Sequence, residues 1–205
     1  MRGLIRDLVL AVGLILGAGL LHAADAHAEA TVNDEGLHVQ PWFHLSFLDL
    51  RDDLREAAEA GKRFAVVWEQ RGCIYCRDMH VVNFAIPAVS DYVRENFVVV
   101  QLNLFGARKV TDFDGEVLAE KDLARKWGVV FTPTILYFPD ALDDDVRKSG
   151  KEIAVAQMPG YFRPVTFLAM FRYVREKRYG EVHFQKYLAD VSDEIRRLDG
   201  MAARQ

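Results

Sequence analysis

One junction constrains this chain more than any other. The run RFAVVWE, Arg63 to Glu69, is apolar, β-branched and aromatic, and it leads within four residues to Cys73 and Cys76. A short run of this kind, without polar alternation, is the pattern of a strand buried on both faces. The segment that follows, CIYCRDMHVVNF, reads as a helix. A strand buried on both sides needs cover above and below, so a layered arrangement is required.

The rest of the chain supplies the layers. SFLDLRDDLREAAEAGK places Phe47, Leu50, Leu54, Ala57 and Ala58 at helical spacing, with Ser46 as N-cap and Gly61 as stop. IPAVSDYVREN is a second helical piece with Pro87 near its first position, and FVVVQLNL is a strand. GARKVTDFDGE reads as a polar loop, EVLAEKDLARKWGV as a helix closed around Gly128, and TPTILYF as a strand opened by Pro133. After a charged turn, EIAVAQMPGY is another strand. VTFLAMFRYVREKRY then puts Phe167, Leu168, Phe171 and Val174 on one helical face, and VHFQKYLADVSDEIRRL is a final amphipathic helix. The order is α-β-α-β-α-β-β-α plus a C-terminal helix. Alternating strands and helices predict an α/β sandwich with parallel pairs, and the last two successive strands predict an antiparallel edge.

With 205 residues, a formal net charge of -4 and 51% hydrophobic residues, the chain suits one domain and shows no basic excess directed at nucleic acid. Part of that apolar content lies at the start. Arg2 and Arg6 precede an uncharged run from Leu8 to Leu21, followed by Ala26-His27-Ala28. A positive start, an apolar centre and a small-x-small exit describe a secretory signal peptide over residues 1–28, cleaved after Ala28. The run falls short of the ~20 residues a spanning helix needs, which argues against a retained anchor. The expectations are export to a periplasm, a mobile polar segment over 29–45, one domain over 46–205, and a monomer.

Three roles are open to the cysteine pair. As a structural staple it closes a loop too short to restrict the unfolded chain much, and a domain of this size stabilises itself by burial. As a metal clamp, Cys73 and Cys76 with His80, one turn further on, supply three soft ligands for copper or zinc. The ordinary reading of His80 is instead a partly exposed helix residue, and no metal or other cofactor is expected beyond the disulfide itself. As a redox pair, residues three apart lie on one helical face, within bonding range. Cys73 falls where unpaired amides favour a thiolate, and Cys76 sits more shielded, suited to resolving a mixed disulfide.

The stretch VVWEQRGCIYC, followed by GVVFTPTILYF, resembles the thioredoxin superfamily, in which a CxxC follows the central strand and faces a cis-proline. The dipeptide Ile74-Tyr75 and the segment MPGYFRPVTFLAMFRYV further resemble periplasmic SoxW-type thioredoxin-like proteins of bacterial sulfur oxidation. The resemblance implies a thioredoxin fold: a three-layer sandwich with a central mixed sheet and an extra C-terminal helix. It also implies a nucleophilic Cys73, a resolving Cys76 and a cis Pro133, with Thr132 lending its backbone to an extended substrate segment. The partners it implies are protein disulfide clients and a membrane thiol transporter as electron source.

The chain departs from ordinary thioredoxins where Gly72 precedes Cys73, and where Val67 stands six residues before Cys73 in place of the buried aspartate. Glu69 is the nearest carboxylate in sequence and the candidate for that proton-handling role; its simpler reading is an exposed acid at a strand end. Tyr75 is expected exposed against a partner and Trp68 in the core. Arg77 either holds the thiolate by charge or points into water. Phe113 is a candidate for lining a substrate groove. Asp143, Asp144 and Asp145 read as a solvated turn, since no calcium-loop spacing follows.

Overall fold

The computed structural model describes residues 31–143 and 145–201. Residues 1–28, read from the sequence as an export signal, and Asp144 of the acidic turn lie outside the described residues. Among the described residues, no helix is long and apolar enough to cross a membrane.

A four-stranded sheet organises the domain. Its strands are β3 (Arg63–Glu69), β4 (Phe97–Asn103), β7 (Thr134–Tyr137) and β8 (Ala156–Pro159), in the spatial order β4-β3-β7-β8. β3 and β4 pair in parallel from Arg63 with Phe97 to Glu69 with Asn103, while β7 runs antiparallel to both β3 and β8. The sheet is mixed and its last pair is the antiparallel edge the sequence predicts. Two short hairpins accompany it: β1 (Thr31–Val32) with β2 (His38–Val39), and β5 (Lys109–Thr111) with β6 (Val117–Ala119). The second hairpin occupies what the sequence suggests is a loop.

Helices cover both faces. On one lie α2 (Ile74–Asp78) with a π-turn over Met79–Asn83, α3 (Pro87–Asn96), α6 (Pro164–Arg175) and α7 (Phe184–Arg196). They pack Met79, Val89, Phe167, Phe171 and Ile195 against Ala65 and Val67 of β3. On the other lie α1 (Leu50–Glu59) and α4 (Glu120–Trp127), which pack Leu54, Leu123 and Trp127 against Phe64, Val66 and Trp68. Alternate residues of β3 thus feed two apolar cores, as a strand buried on both faces must. The architecture is the three-layer α/β sandwich of the thioredoxin fold. A four-residue helix, α5 (Gly150–Ile153), not foreseen in the charged turn, links β7 to β8 and carries a capping box between Ser149 and Glu152.

Several local expectations change. The cap of α1 is Asp49, whose side chain accepts from the amides of Arg51 and Asp52, and Phe47 lies fully exposed ahead of the helix. Ser46 instead donates its hydroxyl to Asp53 at 2.6 Å and accepts from the Leu48 amide. Asp53 is buried beside it, with His44 Nε2 at 3.4 Å. Its carboxyl is pushed up to about 6, by burial first, with Glu56 and Asp49 adding and Ser46 and His44 opposing. Phe113 is completely buried against Phe138 and Trp127, so it belongs to the core and lines no groove. The idea of a mobile 29–45 segment does not account for Leu37, Gln40 and Phe43, which are buried.

Three backbone groups on the outer margin of β4 are occupied. Val99 O accepts from the His44 amide at 2.9 Å, Gln101 O from Arg108 Nη2 at 3.1 Å, and the Asn103 amide donates to Glu120 at 2.8 Å.

Candidate active site

β3 ends at Glu69, and a tight turn redirects the chain into α2. Gly72 takes φ 72°, a left-handed conformation that side-chain-bearing residues adopt only under strain. Cys73 follows as the cap of α2 with extended backbone (φ -75°, ψ 106°), so its sulfur turns toward the first turn of the helix. There Sγ accepts from the Cys76 amide at 3.0 Å. Cys73 and Cys76 are joined as a disulfide, with Cα atoms 5.2 Å apart. Cys73 is 8% exposed and Cys76 wholly buried, so a visiting sulfur reaches Cys73 alone. An amide already aimed at Cys73 Sγ stabilises the thiolate that appears when the bond opens.

Opposite lies the corner before β7. The Thr132–Pro133 bond is cis, and Thr132 Oγ1 donates to Cys73 Sγ at 3.3 Å. The neighbouring surface is apolar: Ile74 and Tyr75 of α2 are exposed, as are Val130 and Phe131 just before Thr132. Tyr75 is not free, however. Its ring stacks on Tyr161 at 6.2 Å with an interplanar angle of 16°. Arg77 turns outward to Asp78 at 2.8 Å, the solvent-facing of its two readings, and Trp68 is in the core as expected.

Two residues sit otherwise than their simpler readings predict. Glu69 and His80 have no exposed side-chain surface, and His80 Nε2 lies 2.8 Å from Glu69 Oε1. Gln101 Nε2 donates to the same oxygen at 3.0 Å, and Gln40 Nε2 faces His80 Nδ1 at 3.1 Å. With an amide NH₂ on Nδ1, that nitrogen accepts and Nε2–H donates to the carboxylate. The edges of Phe43 and Phe84 close around the imidazole. Glu69 is buried because β3 is central, so its last residue still has a helix above it. His80 is buried because the π-turn continues the inward face of Cys76 and Met79. The spacing from Cys76 to His80 carries that signal, since residues four apart share a face.

This placement commits the His80 ring to Glu69 and Gln40. Both ring nitrogens of His80 are engaged, and among the described residues no group of three or more His, Cys, Asp or Glu side chains is arranged to hold a metal ion.

Comparison with known proteins agrees with the architecture. The thioredoxin-like domain model matches residues 50–175, more than half of the chain. Similar solved structures include a thioredoxin-fold protein from Helicobacter pylori, at 22% identity over 66% of this chain and 82% of that one, with a TM-score of 0.47. A thioredoxin from Thermus thermophilus is also similar, at 22% identity over 62% and 83%, with a TM-score of 0.46. The oxidised C-terminal domain of DsbD from Neisseria meningitidis is more distant, at 14% identity over 59% and 88%, TM-score 0.39. No curated protein sequence matches. The matched segment spans β3, the cysteine pair, the cis-proline corner and α6, and on that match the chain belongs to the thioredoxin-like domain family.

Proposed function

We propose that the protein is an exported thiol–disulfide oxidoreductase that reduces disulfides of periplasmic protein clients, including those of a sulfur-oxidation system. One observation carries the activity: a disulfide at a strand-to-helix junction whose first sulfur alone is reachable and faces the Thr132–Pro133 corner. In the reduced protein, the Cys73 thiolate attacks a client sulfur. Cys76 then attacks Cys73 Sγ, re-forms the internal bond and releases the reduced client. Thr132 and Pro133 present backbone to an extended client segment, with Tyr75 at its flank. Glu69 receives the proton that Cys76 gives up. The export pattern at residues 1–28 supports a periplasmic location, and a membrane thiol transporter is the electron source this reading calls for. The protein acts as a monomer without further cofactor.

Insulin reduction by dithiothreitol tests the activity: the wild type accelerates precipitation and Cys73→Ser does not. Equal, slow alkylation of both thiols at neutral pH would count against it. Cys76→Ser traps clients as mixed disulfides on Cys73, and mass spectrometry of the trapped species tests their identity. Direction is tested by the reduction potential against a glutathione series; a strongly oxidising value turns the assignment to disulfide oxidase or isomerase.

A further inference from the structure

We propose that the β1–β2 hairpin, which precedes the family-matched region, is a working part of the redox centre, with His38 passing the Cys76 proton between Glu69 and solvent. This rests on the reading of Cys73 and Cys76 as an exchanging pair.

The hairpin touches the buried pair at several points. Gln40, just past β2, is hydrogen-bonded to His80 Nδ1. The His38 carbonyl accepts at 2.6 Å from Gln101 Nε2, the amide nitrogen that also donates to Glu69. The His38 ring lies 5.9 Å from the His80 ring, and its residue is half-buried, so it spans from the cluster toward the surface. Two polar atoms here are buried without a hydrogen-bond partner among the described residues: Glu69 Oε2 and His38 Nδ1. Each such atom loses its contact with water and gains no hydrogen bond in return. An apolar cover would avoid both penalties. The two atoms are a carboxylate oxygen and an imidazole nitrogen, the kinds of group between which a proton moves.

The step balances as follows. Cys73 S⁻ bonds to one client sulfur, the client disulfide breaks, and the first client thiolate leaves. Cys76 gives its proton to Glu69 Oε2 as its sulfur bonds to Cys73 Sγ, and the mixed disulfide breaks to release the second client thiolate. Two electrons pass from protein to client. Oε2 and His38 Nδ1 lie beyond direct hydrogen-bond contact, so the proton crosses between them through one bridging water, and His38 gives a proton on to solvent. His80 is a positioning residue: by donating to Oε1 it leaves Oε2 as the accepting oxygen. The groups acting on His38 are His80 and Glu69 beneath it and Arg77 from α2. Burial first, then His80 and Arg77, hold His38 below the usual histidine range against the opposing pull of Glu69, so it is neutral and able to accept at pH 7.

The test uses the reduced full-length protein and a symmetric nitrobenzoate disulfide. The first coloured thiolate reports attack by Cys73, and the second reports resolution by Cys76. For His38→Ala, the first phase stays within about twofold of wild type and the second slows at least about tenfold at pH 7. Added imidazole restores it, and the second-phase pH profile loses its wild-type inflection. His38→Gln, which keeps the side chain's bulk and polarity, shows the same slowing. His80→Gln also slows the second phase, but imidazole does not restore it. A second phase at the wild-type rate in both His38 variants, or a slowing that imidazole leaves untouched, overturns the relay. Absence of any second thiolate from the wild type overturns the exchange reading itself, whatever His38 does.

Discussion

Among the described residues, the Asp112, Glu120 and Glu69 carboxylates are entirely shielded from solvent, and their surroundings differ in one respect. Asp112 accepts from the amides of Phe113 and Gly150 at 2.8 and 2.9 Å, from Trp127 Nε1 at 3.2 Å, and from Lys126 Nζ at 2.8 Å. Glu120 accepts from the amides of Asn103 and Arg108 and from the Arg108 guanidinium. Both oxygens of each are occupied, and each acid joins separate segments of chain. Glu69 has two donors on one oxygen and none on the other, and it lies at the end of the strand that leads to the cysteines. A saturated buried carboxylate is a tie. One left half-open beside a redox pair is a place where a proton can arrive.

The sharpest way to break that contrast is Asp112→Ala. It strands the Trp127 indole and two amides at once, while Lys126 keeps Asp114 and Glu116, and should cost about 3–5 kcal/mol, a Tm fall of ~10 °C or more by calorimetry. The rate of disulfide exchange in the surviving folded fraction should not change. If stability held and exchange slowed, the division between ties and proton sites would be wrong. Asp53 sharpens the comparison as an intermediate case. Its folded-state pKa of about 6 lies above the ordinary carboxylate value, so the folded protein binds a proton that the unfolded chain releases. Stability should therefore fall as pH rises from about 4 to 6, by no more than about 3 kcal/mol, and Asp53→Asn should flatten denaturant midpoints over that window. The smallest stability change belongs to Glu69→Gln. The amide retains an oxygen for His80 and Gln101, so urea unfolding should shift by about 1 kcal/mol or less while resolution by Cys76 slows. A loss as large as that of Asp112→Ala would make Glu69 another tie.

Much of this was legible from residue order. Arg63–Glu69 could only be a central strand, and the pair three apart at its end could only sit where a helix starts. What escaped was set by packing over distance. The N-cap at Asp49 rather than Ser46 depends on Ser46 having a better partner in Asp53, which composition does not show. Phe113 lies in a polar stretch, yet the β5–β6 hairpin folds that stretch back and seats the ring against Phe138. Truncating it to alanine should cost about 3–5 kcal/mol, far more than a groove residue would. His80 looked like a surface residue because the polar side chains that receive it, Gln40 and Glu69, come from forty residues and eleven residues away.

The occupied margin of β4 has its own consequence. With the Val99 and Gln101 carbonyls and the Asn103 amide already bonded to a loop amide, a guanidinium and a carboxylate, a passing polypeptide finds three of the groups it would pair with on that side taken. At the opposite rim Pro159 removes one of the donors a newcomer would use. Both rims therefore carry a local obstacle to edge-to-edge pairing between copies of the chain.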